Sequence, residues 1–200
     1  MLVKERFYSL HKRKFILLFF LTFIFSLKIT YLKANAGFEI VNNLNNIETL
    51  KFDFIQVSMD KTEKGNCFLK RPHFLKCIYH DNKNKKELII NKNNLVIHHK
   101  RYNKTYYYPA SYSFFLEILD KKKFKNMILK GKINLENETY EAKYFMEKKG
   151  EITFFFDKKN LDLTGWEIID LNRNITNFKI INLVKNEELG KKIFQIPKIN

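Results

Sequence analysis

Glycine, proline and cysteine are scarce in this chain, with six, three and two in 200 residues. So few Gly and Pro leave no room for a flexible or Pro-rich linker, and no internal repeat is visible. There is no Gly-x-Ser-x-Gly elbow, no phosphate loop and no paired acid and base at catalytic spacing. The chain is therefore not expected to be an enzyme, and no cofactor is implied. His98 and His99 are adjacent, so on a strand they point to opposite faces and cannot share a metal. Around His73 and His80 no metal-binding motif is recognised, so no metal site is expected. Acidic residues are outnumbered, 21 against 37 basic ones, for a formal charge of +16. Such a balance keeps an aromatic-rich protein soluble or steers it toward acidic surfaces.

The N-terminus carries the three parts of a secretory signal peptide. Lys4, Arg6, Lys12, Arg13 and Lys14 form a basic start, and Phe15 to Leu27 is almost wholly apolar. That run is short of the roughly 20 residues a spanning helix needs. Ala34-Asn35-Ala36 then places small residues where a signal peptidase reads them. The expectation is cleavage after Ala36, with residues 1–36 as signal peptide and 37–200 as one domain. Lys28 and Lys33 leave a retained membrane anchor as the alternative. Export makes no routine meeting with nucleic acid, and it permits a disulfide between Cys67 and Cys77.

Residues 38–49 read as an amphipathic helix, because Ile40, Val41, Leu44 and Ile47 recur at helical spacing. From Leu50 the period falls to two. Asp60 to Lys64 reads as a turn closed by Gly65. Short aromatic and β-branched segments follow at 66–71, 74–80, 86–91, 94–100 and 104–108. After Pro109 a helix is expected over about 110–120, ending at Lys121-Lys122-Lys123. Strand signals return at 126–133, 139–147, 151–157, 161–169, 174–184 and 193–196. Short turns make neighbouring strands antiparallel. The fold class is thus mainly β with α: one curved antiparallel sheet of about eleven strands, an incomplete or closed barrel, with helices over its mouth. The high aromatic content fits either a solid core or an enclosed apolar cavity. Cys67 and Cys77 lie five residues either side of Pro72. They form either a cross-strand disulfide or two buried thiols.

Phe54-Ile55-Gln56, Gly65, Lys70-Arg71-Pro72 and Tyr79 together resemble the LolA family of periplasmic outer-membrane lipoprotein carriers. Phe156-Asp157, Leu163-Thr164-Gly165-Trp166, Asp170, Thr176, Phe178, Asn186, Phe194 and Pro197 follow the family's order. One departure is the hairpin over 86–97, where Lys92-Asn93-Asn94 replaces the family's Gly-containing turn. The resemblance implies a half-barrel with a helical lid, working in the periplasm as a monomer. It implies that the cavity takes the acyl chains of lipoproteins. A releasing ABC complex of the inner membrane would supply them, and an outer-membrane acceptor would receive them. It also implies that Arg71 gates the lid through hydrogen bonds to lid carbonyls. Inward strand positions and the lid would line the cavity. Those positions are Phe52, Phe54, Phe68, Phe74, Ile90, Ile97, Phe154, Phe156, Trp166 and Phe178, with Leu116 and Leu119 from the helix. The same half-barrel also serves as a periplasmic lipid-binding or envelope-stress-sensing protein, which is the alternative role.

Overall fold

The computed structural model describes residues 36–80 and 85–197. The expected signal segment therefore lies outside the described residues, apart from Ala36. Helix α1 covers 36–45. It is followed by β1 (Thr49–Ser58), β2 (Lys61–Lys70), β3 (Phe74–Tyr79), β4 (Lys86–Asn91), β5 (Asn94–His99) and β6 (Lys104–Pro109). Two helices, α2 (Phe115–Leu119) and α3 (Lys121–Lys130), come next. Strands β7 (Lys132–Glu136), β8 (Thr139–Met146), β9 (Gly150–Asp157), β10 (Leu163–Ile169) and β11 (Ile175–Lys185) complete the sheet. All eleven strands form one antiparallel sheet in the order β6-β5-β4-β3-β2-β1-β11-β10-β9-β8-β7, open between β6 and β7. Among the described residues no helix is long and apolar enough to cross a membrane.

The sheet must wrap strongly. The Phe124 ring on α3 lies 4.8 Å from the Phe154 ring on β9 and 5.6 Å from the Arg71 guanidinium at the end of β2. In a flat sheet those two strands, four spacings apart in this order, would be about 19 Å distant. Curvature places one face around α2 and α3. That inner face follows the two-residue period: Leu50, Phe52 and Phe54 on β1, Cys67 and Leu69 on β2, and Phe154 and Phe156 on β9 are all buried. Ile40, Val41 and Leu44 of α1 join the same core, as does Ile47 just after the helix.

Several sequence expectations are corrected. Residues 61–64 belong to β2, whose hairpin with β1 turns at Met59 and Asp60, so Gly65 sits within a strand. The lysine run at 121–123 opens a helix and does not close one. The Asp120 carboxylate accepts the Lys123 N–H at 3.0 Å and caps it, and α3 then occupies most of the strand expected over 126–133. Phe124, Met127 and Ile128 are its buried stripe, a helical spacing that strand-like composition masked. At the C-terminus, 191–194 is a 3₁₀ turn and not a strand. It packs on the outside of the sheet, where Phe194 meets Phe74 at 5.6 Å and its carbonyl accepts Asn91 Nδ2 at 3.1 Å.

Cys67 and Cys77 are directly paired across β2 and β3 and are joined by a disulfide, both without solvent exposure. Replacing both with alanine is expected to lower stability by about 2–4 kcal/mol. Denaturant unfolding of the double variant against the oxidised parent measures it, and an unchanged midpoint would contradict the pairing.

Candidate functional site

The inner face and the helices do not close completely. A cavity of about 340 Å³ remains, lined by Gln56, Tyr79, Leu88, Tyr112 to Phe115, Ile118, Trp166, Ile168 and Phe178, with Asp170, Asn174 and Thr176 at its rim. Strand alternation puts these groups together. Gln56 faces Phe178 across β1 and β11, and Phe178 faces Trp166 across β11 and β10. All three therefore stand on one face. Trp166 and Phe178 stack at 4.1 Å, and Phe178 stacks on Phe54 at 4.9 Å. Phe115 from α2 meets both Trp166 and Phe178 edge-on, at 5.5 and 5.8 Å. Phe115 thus ties α2 to the sheet by aromatic edges, beside the Lys149–Glu117 ion pair.

One end of the cavity is polar. The Tyr79 hydroxyl donates to Gln56 Oε1 at 3.3 Å, and burial pushes that phenol up from its ordinary pKa. Lys86 lies 3.8 Å over the Tyr79 ring and pairs with Glu63 at 2.8 Å. Burial would raise the Glu63 carboxyl, but hydrogen bonds from Lys61 and Lys86 outweigh it and hold the pKa below its usual value. Lys149 reaches the lid from the turn between β8 and β9, pairing with Glu117 of α2 at 3.0 Å. An apolar interior with a polar end suits an amphiphile whose tail enters and whose head stays outside.

Arg71 follows β2, at the end of the sheet opposite Gln56 and Tyr79. It is 7 % exposed, and its Nε and Nη2 are buried with no hydrogen-bond partner among the described residues. Burial lowers its pKa to about 10, with Glu48 and Asp120 opposing the shift, so it is charged at neutral pH. It meets the lid through the face of the Phe124 ring, and among the described residues neither Nε nor Nη2 bonds a lid carbonyl.

The other named positions divide. Phe52, Phe54, Ile90, Leu119, Phe154 and Phe156 are on the inner side but fill the core against one another and the lid. Ile97 is inward on β5 and Leu116 is half-buried against the core. Phe68 and Phe74 are corrected: both stand on the outer face, because Cys67, Leu69 and Leu75 take the inner positions of β2 and β3. Ala36 is buried in α1. Gln56, Tyr79 and the segment Tyr112 to Phe115 line the cavity without having been expected to. Gln56 and Tyr79 shared the phase of Phe54 and Cys77, which was the available signal. A second hollow of about 540 Å³ lies on the outer face around Ile55, Phe155 and Gly165, rimmed by Glu136, Glu141 and Lys179. It opens widely to solvent and has no lid. Among the described residues no three His, Cys, Asp or Glu side chains are grouped as a metal site would need.

An open antiparallel half-barrel wrapped on an apolar interior, with helices packed into its concave side, defines the class. The chain belongs to the LolA family: residues 45–197 match the family described as outer membrane lipoprotein carrier protein LolA. A crystal structure of an uncharacterized conserved protein from Thermus thermophilus shares the fold, with TM-score 0.53 at 8 % identity, covering 80 % of this chain and 93 % of that one. A LolA superfamily protein from Nitrosomonas europaea is similar at TM-score 0.45 and 6 % identity, covering 80 % of this chain and 97 % of that one. A putative outer membrane lipoprotein-sorting protein domain from Vibrio parahaemolyticus gives TM-score 0.48 at 9 % identity, covering 82 % of this chain and 96 % of that one. No curated protein matches the chain.

Proposed function

We propose that the protein carries the acyl chains of lipoproteins in its half-barrel, through the periplasm, from the inner to the outer membrane. The observation that supports this most is the cavity between α2 and the sheet, apolar along Ile118, Trp166 and Phe178 and polar at Gln56 and Tyr79. Each buried CH₂ contributes about 0.8 kcal/mol, so a lipid tail alone supplies ample binding energy. The cavity is near the small end of the usual range for ligand sites, about 300–1,000 Å³. Uptake of more than one chain therefore requires α2 and α3 to move outward and their aromatic contacts to break. An inner-membrane releasing complex would load the carrier and an outer-membrane acceptor would unload it. The protein acts on its cargo by binding alone, without chemistry. The test is release: inner-membrane vesicles bearing a labelled lipoprotein are incubated with the exported protein. A soluble one-to-one complex is expected, and its absence overturns the carrier reading.

Trp166 is the sole tryptophan, so its fluorescence reports on the cavity without a label. Titration with a brominated long-chain fatty acid is expected to quench most of that emission with saturation. Emission unchanged at concentrations that saturate binding would place the acyl site elsewhere.

A further inference from the structure

We propose that Gln56, set in place by Tyr79, binds the ester carbonyl of a neutral acylglycerol head at the polar end of the cavity. The inference rests on the acyl-carrying reading and names the group by which the site would recognise its ligand. Gln56 reaches the cavity by strand phase. It lies two residues beyond the buried Phe54 on β1 and opposite Phe178 on β11, so the three share the inner face. Tyr79 reaches it from β3 across β2, where its partner Gly65 has no side chain to obstruct the ring.

The hydrogen bonds decide which atom is open. The Tyr79 hydroxyl donates to Gln56 Oε1 at 3.3 Å. Its ring is fixed 5.0 Å from the Phe54 ring and 3.8 Å from Lys86 Nζ, and burial raises the phenol pKa, so it stays a donor. The Gln56 side chain makes no other hydrogen bond among the described residues, which leaves its amide N–H groups open toward the cavity. Other polar groups of the lining have partners. Asn174 Nδ2 donates to Asp170 at 2.8 Å, Thr176 Oγ1 lies 3.1 Å from Ser58 Oγ, and Ser113 Oγ accepts the Phe115 N–H at 3.1 Å. The open group at Gln56 is therefore a donor whose own acceptor is engaged. An ester carbonyl, which only accepts, matches it. A ligand hydroxyl would seek an acceptor, and an ether oxygen accepts more weakly. Turning the amide over would still leave a donor, since Nε2 would then bond the phenol oxygen and free the hydroxyl proton.

The charges at this end favour a neutral head. Lys61 and Lys86 both pair with Glu63, at 2.7 and 2.8 Å, and Lys149 pairs with Glu117 at 3.0 Å. An anionic head would compete with these carboxylates for the same ammonium groups, and it would meet Asp170 at the rim. A carbonyl needs none of them. With the carbonyl on Gln56, the tail runs inward along Trp166, Phe178 and Ile118, and the glycerol stays at the polar end.

Calorimetric titration with three probes of equal chain length tests the assignment: decanoylglycerol, its ether analogue decylglycerol, and decanoyl lysophosphatidylglycerol. The parent is expected to bind the ester about three- to tenfold more tightly than the ether, the effect of one hydrogen bond. It should also bind the ester more tightly than the phosphate-bearing probe. Gln56→Leu should bind ester and ether alike. Tyr79→Phe should narrow the gap as well, because the amide is then no longer held. A merely structural role for either residue would weaken both probes together and leave their ratio as in the parent. Equal binding of ester and ether by the parent, an unchanged ratio in Gln56→Leu, or tighter binding of the lysophospholipid overturns the proposal. The parent comparison needs no variant to fold. Equal binding of ester and ether removes the carbonyl site but keeps the acyl cavity, whereas binding of no probe overturns both readings.

Discussion

Gly65→Ala is expected to destabilise the protein by about 3 kcal/mol or more, although the change adds one methyl group within a strand. A Cβ at Gly65 would lie 2.1 Å from the Ile78 carbonyl oxygen and 2.7 Å from Phe54 Cε1. Neither neighbour can give way cheaply. Ile78 belongs to β3, paired with β2 in unbroken register. Phe54 is 1 % exposed and is fixed between Tyr79 at 5.0 Å and Phe178 at 4.9 Å. The glycine is therefore required by the ring that lies across it. Thermal unfolding should show a midpoint about 6–12 °C lower. Phe54→Leu in the same chain should recover part of the loss, giving a favourable coupling of the two changes. A Gly65→Ala variant that melts within about 2 °C of the parent would show that the strands are not packed this closely.

Gly65 also shows where sequence reading reaches its limit. Beside Asp60 to Lys64 it reads as the end of a polar turn, since Gly and charged residues mark turns on average. The strand runs through that stretch because 61–70 pairs residue by residue with β1, which outweighs weak local propensity. The lysine run failed for a related reason. Lys121-Lys122-Lys123 suits a helix C-terminus by charge, but Asp120 in front of it is a strong N-cap, and the geometry of that cap decided the matter. By contrast, β4, β5, β8 and β9 were legible to within a residue or two. Their apolar runs are short and their turns are rich in Asn, Lys and Gly.

The site was legible through phase more than through composition. Once Phe54 is inward, Gln56 and Phe178 follow by pairing, and so does Trp166. Phe68 and Phe74 depart from the expectation because aromatic character does not fix which face of a strand a residue takes. Both are out of phase with the cysteines, and Phe74 finds cover in the C-terminal turn around Phe194, a contact more than a hundred residues away in sequence. No local pattern announces such a cover. Arg71 was named by resemblance alone. Its burial without a partner is a property of the packed structure.

Arg71→Leu is expected to leave cargo uptake intact, to slow cargo release by at least tenfold, and to raise the melting temperature of the empty protein. The stability effect follows from two buried guanidinium N–H positions with no acceptor among the described residues. Leaving such groups unsatisfied costs about 1–3 kcal/mol, and leucine removes that cost while filling much of the same space. The Phe124 ring compensates in part in the closed state, since a cation over an aromatic face contributes about 0.5–2 kcal/mol. Cargo changes the balance. If the protein carries acyl chains as proposed, a chain extending from the cavity beneath α3 would displace Phe124, and the guanidinium would then face hydrocarbon without the ring. The loaded state would then carry a penalty that the empty state does not, and this penalty would favour release. In the leucine variant the penalty is absent, and an apolar side chain adds contact with the tail. A difference of about 1.4 kcal/mol between the two states is a tenfold change in retention. Transfer of labelled lipoprotein from the preformed complex to acceptor-bearing liposomes measures it. Phe124→Leu is the matching control: it weakens the closed state without touching the charge, so it should lower the melting temperature. Should Arg71→Leu melt lower than the parent and release cargo at the parental rate, the guanidinium is a structural group and the gating role is lost.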